Sequence, residues 1–174
     1  MSRPTYDDTM TGLPVEIDDE EVFENIRRFF EEGIPFNQVL GLKIGHIRRG
    51  DVSLIMPFKP TLIGNPMVPA LHGGTLSAMA DAAGGAAVFS ALPLGDSVST
   101  IDLRIDYLRP AAPVDSWAEA KIVRLGGRVG VARISVWQEH AAENESPEAK
   151  AGDEPERVLV AEAKGVYSIK RRRR

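Results

Sequence analysis

The residues best suited to chemistry lie in one short, weakly polar segment. Residues 71–85, LHGGTLSAMADAAGG, contain a single histidine, His72, and a single aspartate, Asp81. Asp81 is the only residue with a formal charge at pH 7 between Pro60 and Gly95. Helix surfaces that face water normally carry several charges, so a lone carboxylate favours a reactive group, a general base or a nucleophile. The alternative is a narrow solvent-facing stripe on the helix.

Gly73 and Gly74 lie where this segment is predicted to become helical. The first N–H groups of a helix lack partners within the helix, and the helix dipole makes this end positive. Glycine has no side chain that would keep a ligand away from these groups. The pair therefore predicts an oxyanion hole, in which the loss of one donor typically costs roughly 3–4 kcal/mol of transition-state stabilisation. Alternatively, Gly73 and Gly74 serve only to allow close packing at this point of the chain.

The spacing of these groups bears on how they could form one site. A helical rise of ~1.5 Å per residue separates the Cα of Asp81 from the glycine pair by roughly 10–12 Å. Across that distance a small reacting group would not contact both Asp81 and the glycine pair of the same chain. A site shared between two subunits would solve this problem, because the two groups could then come from different chains. For His72 we consider a structural or capping role and a direct role in proton transfer, and we favour the first.

Periodicity predicts the elements that position this segment. Apolar residues at helical spacing predict helices over 18–32 and 73–92. Alternating apolar and polar residues predict a hairpin near 42–48 and 52–58, followed by strands within VSTIDLRIDYL, SWAEAKIVRLG, RVGVARISVWQEH and RVLVAEAKGVYSI. Short links between the late strands favour antiparallel pairing. We therefore predict an α+β fold, a curved and mainly antiparallel sheet wrapped around one long central helix.

The chain length of 174 residues suits one domain with a sizeable core. We predict an irregular N-terminal arm over 1–17 and a single domain over 18–170. Within that domain, 141–156 is acidic and poor in apolar residues, which predicts a loose loop. Residues 171–174 form a basic tail.

Composition argues against several classes of function. The chain has no cysteine, which excludes disulfides and a cysteine nucleophile, and its net charge of −4 gives no general support for nucleic-acid binding. The weakly polar segment is built from Ala and Gly, which argues against a membrane span. One His and one Asp lack the clustering that a metal site requires. The N-terminus has no signal-peptide pattern, and we expect a cytoplasmic protein.

Three segments together resemble the hotdog-fold acyl-CoA thioesterases, specifically the PaaI-like (phenylacetate-pathway type) group. They are LHGGTLSAMAD, the strand STIDLRIDYLRPA and the hairpin RLGGRVGVARISV, and the resemblance covers about residues 35–170. It implies a hotdog fold and hydrolysis of an acyl-CoA thioester, with no cofactor because CoA is part of the substrate. It also implies a homodimer or a dimer of dimers, with active sites across the dimer interface.

The resemblance implies a role for each site residue. Asp81 is the acid that activates water or attacks the thioester carbonyl. The Gly74 N–H, with Gly73 beside it, polarises that carbonyl from the start of the helix. Thr100 helps to place the water, and His72 is mainly structural.

The remaining expectations concern substrate binding. The family often has Asn or Gln six residues before the histidine, where this chain has Pro66, so Asn65 is the candidate for that role. The CoA phosphates are expected to need cations, and the first candidate is Arg128, beside Gly127 in the turn of the second hairpin. Arg104, Arg109 and the 170–174 tail are the further candidates. Helix residues such as Met79, Val88 and Phe89 are expected to line an apolar acyl pocket.

Two other functions fit the same fold. A non-catalytic acyl-CoA-binding protein would keep the helix-end cradle and make no use of the acid. A dehydratase or hydratase of acyl thioesters needs a histidine paired with an acid on the acyl chain, and His72 is the only histidine in the segment. We rank the dehydratase last.

Overall fold

The computed structural model of the protein describes residues 20–139 and 157–172. The predicted N-terminal arm and the predicted acidic loop lie outside the described residues, as does the end of the basic tail at 173–174. Within the described ranges the helical segments are α1 (Glu20–Arg28), a π-helical turn (Phe29–Gly33), α2 (Pro35–Leu40), a 3-10 turn (Pro60–Leu62) and α3 (Gly73–Ser90).

The predicted sheet is confirmed as antiparallel. Six strands pair in the order β1-β2-β6-β7-β8-β5, and each neighbouring pair is antiparallel. The strands are β1 (Lys43–Arg48), β2 (Asp51–Met56), β5 (Ser97–Tyr107), β6 (Ser116–Leu125), β7 (Val129–Glu139) and β8 (Arg157–Lys170). A separate two-stranded ribbon joins β3 (Ile63–Asn65) to β4 (Ala70–Leu71) just before α3.

The long helix α3 packs against all six strands of the sheet, as the fold prediction requires. Its buried face is made of very small side chains, and Ala80, Ala83, Ala86 and Ala87 are fully buried. Because these side chains are small, the sheet lies close to the helix backbone. The contacts along the whole helix then stabilise the fold through dispersion and burial of apolar surface. Alanine is also the strongest helix former, so the composition serves both packing and helix formation.

One segment before the sheet differs in form from the prediction. The sequence predicts one helix over 18–32, whereas the structure has α-helix over Glu20–Arg28 and a π-helical turn over Phe29–Gly33. In this turn Phe30 is buried while the neighbouring Phe29 is exposed. Wide turns of this kind are often found at functional sites, and here the turn carries both aromatic rings to one edge of α3.

Hydrogen bonds fasten this turn to the sheet. Arg27 Nη1 donates to the Ile44 carbonyl over 2.6 Å, and the Ile44 N–H donates to Glu31 Oε1 over 2.9 Å. Partial burial pushes the pKa of Glu31 upward, but the Ile44 hydrogen bond and the nearby Lys43 and Arg27 outweigh burial and hold the pKa below its ordinary value. The π-helical turn therefore has a fixed position over the helix.

Candidate active site

A cavity of about 430 Å³ opens between the π-helical turn, α3 and the start of β5. This volume falls within the usual range of small-molecule sites. Its wall is mainly aromatic and aliphatic, with contributions from Phe29, Phe30, Ile34, Phe36 and Phe89. Of the residues expected to line an apolar pocket, Phe89 does so. Met79 and Val88 are instead fully buried in the core, because they point from α3 toward the sheet.

Asp81 and Thr100 meet at the wall of this cavity. Thr100 Oγ1 donates to Asp81 Oδ1 over 2.8 Å, which joins α3 to β5 across 19 positions of sequence. Asp81 is half-buried. A carboxylate fixed by one hydrogen bond beside an apolar cavity can accept a proton from a bound water or attack an electrophilic carbon.

A third residue, Tyr167 on β8, reaches the same point from beneath the helix. Tyr167 is 1% exposed, and its Oη donates to the main-chain carbonyl of Asp81 over 3.2 Å. Burial raises the pKa of the Tyr167 phenol, and the negative charge of Asp81 adds to the rise. The phenol therefore stays protonated and remains a donor over the range in which proteins are assayed.

Two glycines make room for this phenol. A Cβ on Gly84 would lie 2.1 Å from Tyr167 Oη, and a Cβ on Gly165 would lie 2.3 Å from the same atom. The sequence reasoning did not identify Tyr167. The sequence did contain an indication, because Gly84 lies inside the long helix and Gly165 inside the last strand. Glycines inside helices or strands often mark places where another group approaches the backbone closely.

His72 caps the start of α3. Its backbone is extended, and its Nδ1 accepts a hydrogen bond from the Gly74 N–H over 2.9 Å. This is the geometry of an N-cap side chain satisfying the second N–H of a helix. The Gly74 N–H was expected to polarise a substrate carbonyl, but the structure gives it an internal partner. Within the described residues, the Gly73 N–H has no hydrogen bond.

Gly73 and Asp81 line two different cavities of one chain. Gly73 lines a second depression of about 420 Å³ together with Tyr107 and Arg109, and Asp81 does not line it. Tyr107 Oη donates to the Gly73 carbonyl over 3.0 Å. Within one chain, the candidate acid and the candidate oxyanion donor therefore do not face a common space.

The other predicted binding residues lie away from the cavity. Asn65 is exposed and its Oδ1 accepts the Met67 N–H over 3.0 Å, an arrangement that fixes the local turn. Arg104 forms an ion pair with Asp106 over 3.2 Å in a groove on the opposite face of the sheet. Arg104 alternates with inward-facing Leu103 and Ile105, which explains this outward position.

Gly127 and Arg128 lie in the exposed turn between β6 and β7. The Gly127 carbonyl accepts a hydrogen bond from Arg171 Nε over 3.2 Å. In the part of the chain that the structure describes, no group of three or more potential ligand side chains could hold a metal ion. No helix in those residues is both long and apolar enough to cross a bilayer.

Comparison with known proteins identifies the family of this chain. The family model of the thioesterase superfamily matches residues 69–144. The Medium/long-chain acyl-CoA thioesterase YigI of Salmonella typhimurium is 31% identical over 133 residues, which cover 69% of this chain and 86% of that protein. The Halobacterium salinarum protein VNG_1336C is 43% identical over 100 residues, which cover 56% of this chain and 66% of that protein.

Structural comparison agrees with the sequence matches. A solved structure from Shewanella oneidensis, related to the thioesterase superfamily, is 27% identical with a TM-score of 0.69. The match covers 86% of this chain and 95% of that one. The sheet around one long helix is thus the hotdog fold that the resemblance implied. Since a relative more than 30% identical is matched over most of its own length, this chain belongs to the thioesterase superfamily.

Proposed function

We propose that this protein hydrolyses an acyl-CoA thioester to a free acid and CoA. The observation that carries the proposal is the pair of Asp81 and Thr100 at the wall of an apolar cavity. The aromatic wall suits an apolar acyl group, and the Salmonella relative is named for medium- and long-chain acyl-CoA. The proposed substrate is therefore an acyl-CoA with an aliphatic or aromatic tail that fills this cavity.

In the general-base route, Asp81 takes a proton from a water that Thr100 helps to place. The resulting hydroxide forms a C–O bond to the thioester carbonyl, and collapse of the tetrahedral intermediate breaks the C–S bond. In the nucleophilic route the Asp81 carboxylate itself adds to the carbonyl, and water then hydrolyses the anhydride. The thiolate leaves readily in both routes because thiols resembling cysteine have a pKa near 8.5.

A main-chain N–H at the start of α3 is the proposed donor to the carbonyl oxygen. The Gly74 N–H already serves His72, so we assign this role to the Gly73 N–H. The depression that Gly73 lines is separate from the Asp81 cavity in one chain. The proposed site therefore combines Asp81 of one protomer with the helix start of a second copy.

Strand β5 is the proposed surface for that second copy. It lies at the end of the sheet, spans 11 residues and has largely exposed side chains, including Ile101 at 59%. Long exposed edge strands with apolar side chains favour pairing with another chain. Pairing through β5 would place α3 of each protomer near the α3 of the other, across the joined sheet.

We expect Ile101→Lys to convert the dimer to a monomer, because it places a charge on the edge that pairs. Light scattering after size-exclusion chromatography measures the change in mass. The matched control is Val123→Lys, at a similarly exposed site on the interior strand β6, and this variant should retain at least a dimer. A monomeric wild-type protein at micromolar concentration contradicts pairing through β5.

Thiol release from a panel of acyl-CoA substrates tests the function directly. We expect release well above the no-enzyme rate, with the highest kcat/KM for medium- and long-chain or aryl acyl groups and the lowest for acetyl-CoA. Absence of release from every member of the panel contradicts hydrolysis and favours a binding protein. Hydration of an enoyl-CoA would instead support a hydratase.

A further inference from the structure

The face of the sheet that is turned away from α3 carries its side chains in rows that cross the strands. Side chains of a strand alternate between two faces, so this outer face takes every second residue of β6, β7, β8 and β5. Along β7 the outward positions are Trp137, Ser135, Arg133 and Val131, and the buried Ile134 lies between two of them. Each outward position belongs to a row that continues on neighbouring strands, and successive rows lie roughly 7 Å apart. We call the surface made of these four rows the banded face.

The two central rows of the banded face carry charges of opposite sign. In the strand order β6, β7, β8 and β5, the basic row is Lys121, Arg133, Lys164 and Arg104, and the acidic row is Glu119, Ser135, Glu162 and Asp106. Like charges directly opposite each other destabilise a sheet, whereas opposite charges stabilise it. A face that met only water would gain stability from mixing the two signs. Their separation into rows therefore favours a surface that meets a partner.

Apolar rows flank the charged rows on both sides. In the strand order β6, β7 and β8, the row beyond the acidic one is Trp117, Trp137 and Leu159, and the row beyond the basic one is Val123, Val131 and Val166. The two tryptophans are the only ones in the chain, and tryptophan is among the side chains enriched at protein interfaces. The banded face is therefore apolar at both margins and charged between them.

We propose that the banded face binds the banded face of a second copy of this chain. The axis that relates the two copies would lie between them, parallel to the rows and midway between the basic and the acidic row. A half-turn about this axis places each basic row over the acidic row of the other copy. It also places each tryptophan-containing row over the valine row of the other copy. Interfaces between identical chains commonly have two-fold symmetry, and they require a surface that is complementary to itself.

The order of the rows selects the orientation of the two copies. With this axis each strand lies over its counterpart, so that Lys164 meets the partner's Glu162 and Lys121 meets the partner's Glu119. A half-turn about an axis parallel to the strands would instead place basic row over basic row, and facing like charges oppose association. The banded face is therefore complementary to itself in the first orientation and repels itself in the second.

The charges at the centre of the banded face are available to a partner. Among the described residues, the exposed side chains of Arg133, Lys164 and Glu162 have no hydrogen bond or ion pair. The other charged side chains of the two rows have exposed ion pairs within the chain, and such pairs contribute little to stability. A groove of about 230 Å³ lies among these residues and leaves room for side chains of a second copy.

The size of the banded face sets how strongly it can associate. Four strands and four rows span roughly 20 Å by 20 Å, which is about half of the area that each partner contributes to a standard interface. The contact should therefore be weak, and salt should weaken it further because the charges are exposed. The face of the sheet and the free edge of β5 are different surfaces, so this contact would join chains already paired through β5. At micromolar concentration we expect the β5 contact alone to persist.

Sedimentation velocity of the full-length protein tests the contact by charge reversal and rescue. At about 100 µM and low salt we expect a species of twice the mass seen at about 1 µM, and about 0.5 M salt should remove it. Lys164→Glu and Glu162→Lys should each weaken this association at least about tenfold, because each variant places like charges opposite each other twice. An equimolar mixture of the two variants should recover wild-type association, since one presents two acids and the other two bases. A variant that is merely misfolded would not be rescued by mixing.

The matched control is Lys170→Glu, the same change at an exposed position of the same strand, roughly 20 Å from Lys164 and outside the four rows. It should associate as the wild type does, and an equal loss of association in this variant overturns the proposal. A wild type with the same mass at both protein concentrations also overturns it, as does wild-type association of either single variant. So does a mixture that associates no better than its components. Mass is measured without substrate, so these outcomes do not depend on whether the protein hydrolyses thioesters.

Discussion

Replacement of Asp81 by asparagine is expected to lower kcat for acyl-CoA hydrolysis by about 10²–10⁴-fold, the usual contribution of a general acid or base. Asparagine has the same shape and keeps an oxygen that can accept the Thr100 hydroxyl, so the local packing should survive. It cannot take a proton from water or attack a carbonyl. Because the lost interaction acts in the transition state, kcat and kcat/KM should fall together.

Thiol release at saturating acyl-CoA measures this effect, and thermal melting of the same samples reports the fold. The matched control is Glu162→Gln, which removes an exposed carboxylate from β8 on the face away from the cavity. We expect this control to retain wild-type turnover. Near-complete turnover by the Asp81→Asn variant, with its melting temperature unchanged, would rule out Asp81 as base or nucleophile.

The second large effect concerns Gly84. We expect Gly84→Ala to lower the free energy of unfolding by about 1–3 kcal/mol, the usual cost of overpacking a core. The added Cβ would lie 2.1 Å from Tyr167 Oη and 3.1 Å from Ile134 Cδ1. Because Tyr167 donates to the Asp81 main-chain carbonyl, its displacement should also lower kcat.

The adjacent Gly85 provides the matched control. A Cβ at Gly85 would have its nearest neighbour, Tyr167 Cε1, at 3.7 Å, which is ordinary contact. Gly85→Ala should therefore raise the free energy of unfolding by about 0.4–1 kcal/mol through reduced freedom of the unfolded chain. Urea denaturation of both variants measures the difference.

A double variant identifies the contact responsible. Tyr167→Phe removes the hydroxyl and its 2.1 Å approach, while the ring carbon Cζ would still lie 2.9 Å from a Cβ at Gly84. Gly84→Ala should therefore cost less in the Tyr167→Phe background than in the wild type, giving a favourable interaction energy in the double-mutant cycle. Equal stability of the Gly84→Ala and Gly85→Ala variants would contradict the role of the glycine as space for the phenol.

Much of the fold follows from local pattern. Alternation along β5 and β8 and the short link between β6 and β7 predict antiparallel strands, because side chains of a strand alternate between two faces. The start of α3 at Gly73 coincides with its predicted start, and its end at Ser90 falls two residues before the predicted one. Helix ends are set by caps and by neighbouring contacts, so they are less well specified than the helix itself.

The π-helical turn shows where local pattern is insufficient. Phe29 and Phe30 have helical spacing with the residues before them, and this predicted a continuous helix. Their rings pack against Phe89, with ring centroids at 5.9 Å and 6.1 Å. Phe89 is distant in sequence, so the contact that accompanies the wider turn is absent from any local window.

The sequence by itself determined which residue is chemically unusual. Asp81 is isolated among apolar residues, and this is a property of residue order that no folding changes. The neighbouring histidine and glycines likewise marked a helix start, since caps and open N–H groups depend on nearby residues. These features, with the hairpin and strand patterns, were sufficient to indicate the superfamily.

Only the tertiary structure decided how those residues are arranged. It joined Asp81 to Thr100 and Tyr167, gave the Gly74 N–H to His72, and placed Arg104 on the far face of the sheet. It also brought the basic end of β8 beside the start of β5, next to the cavity. Each of these outcomes depends on distances between groups far apart in the chain, and such distances are set by how the sheet packs around the helix.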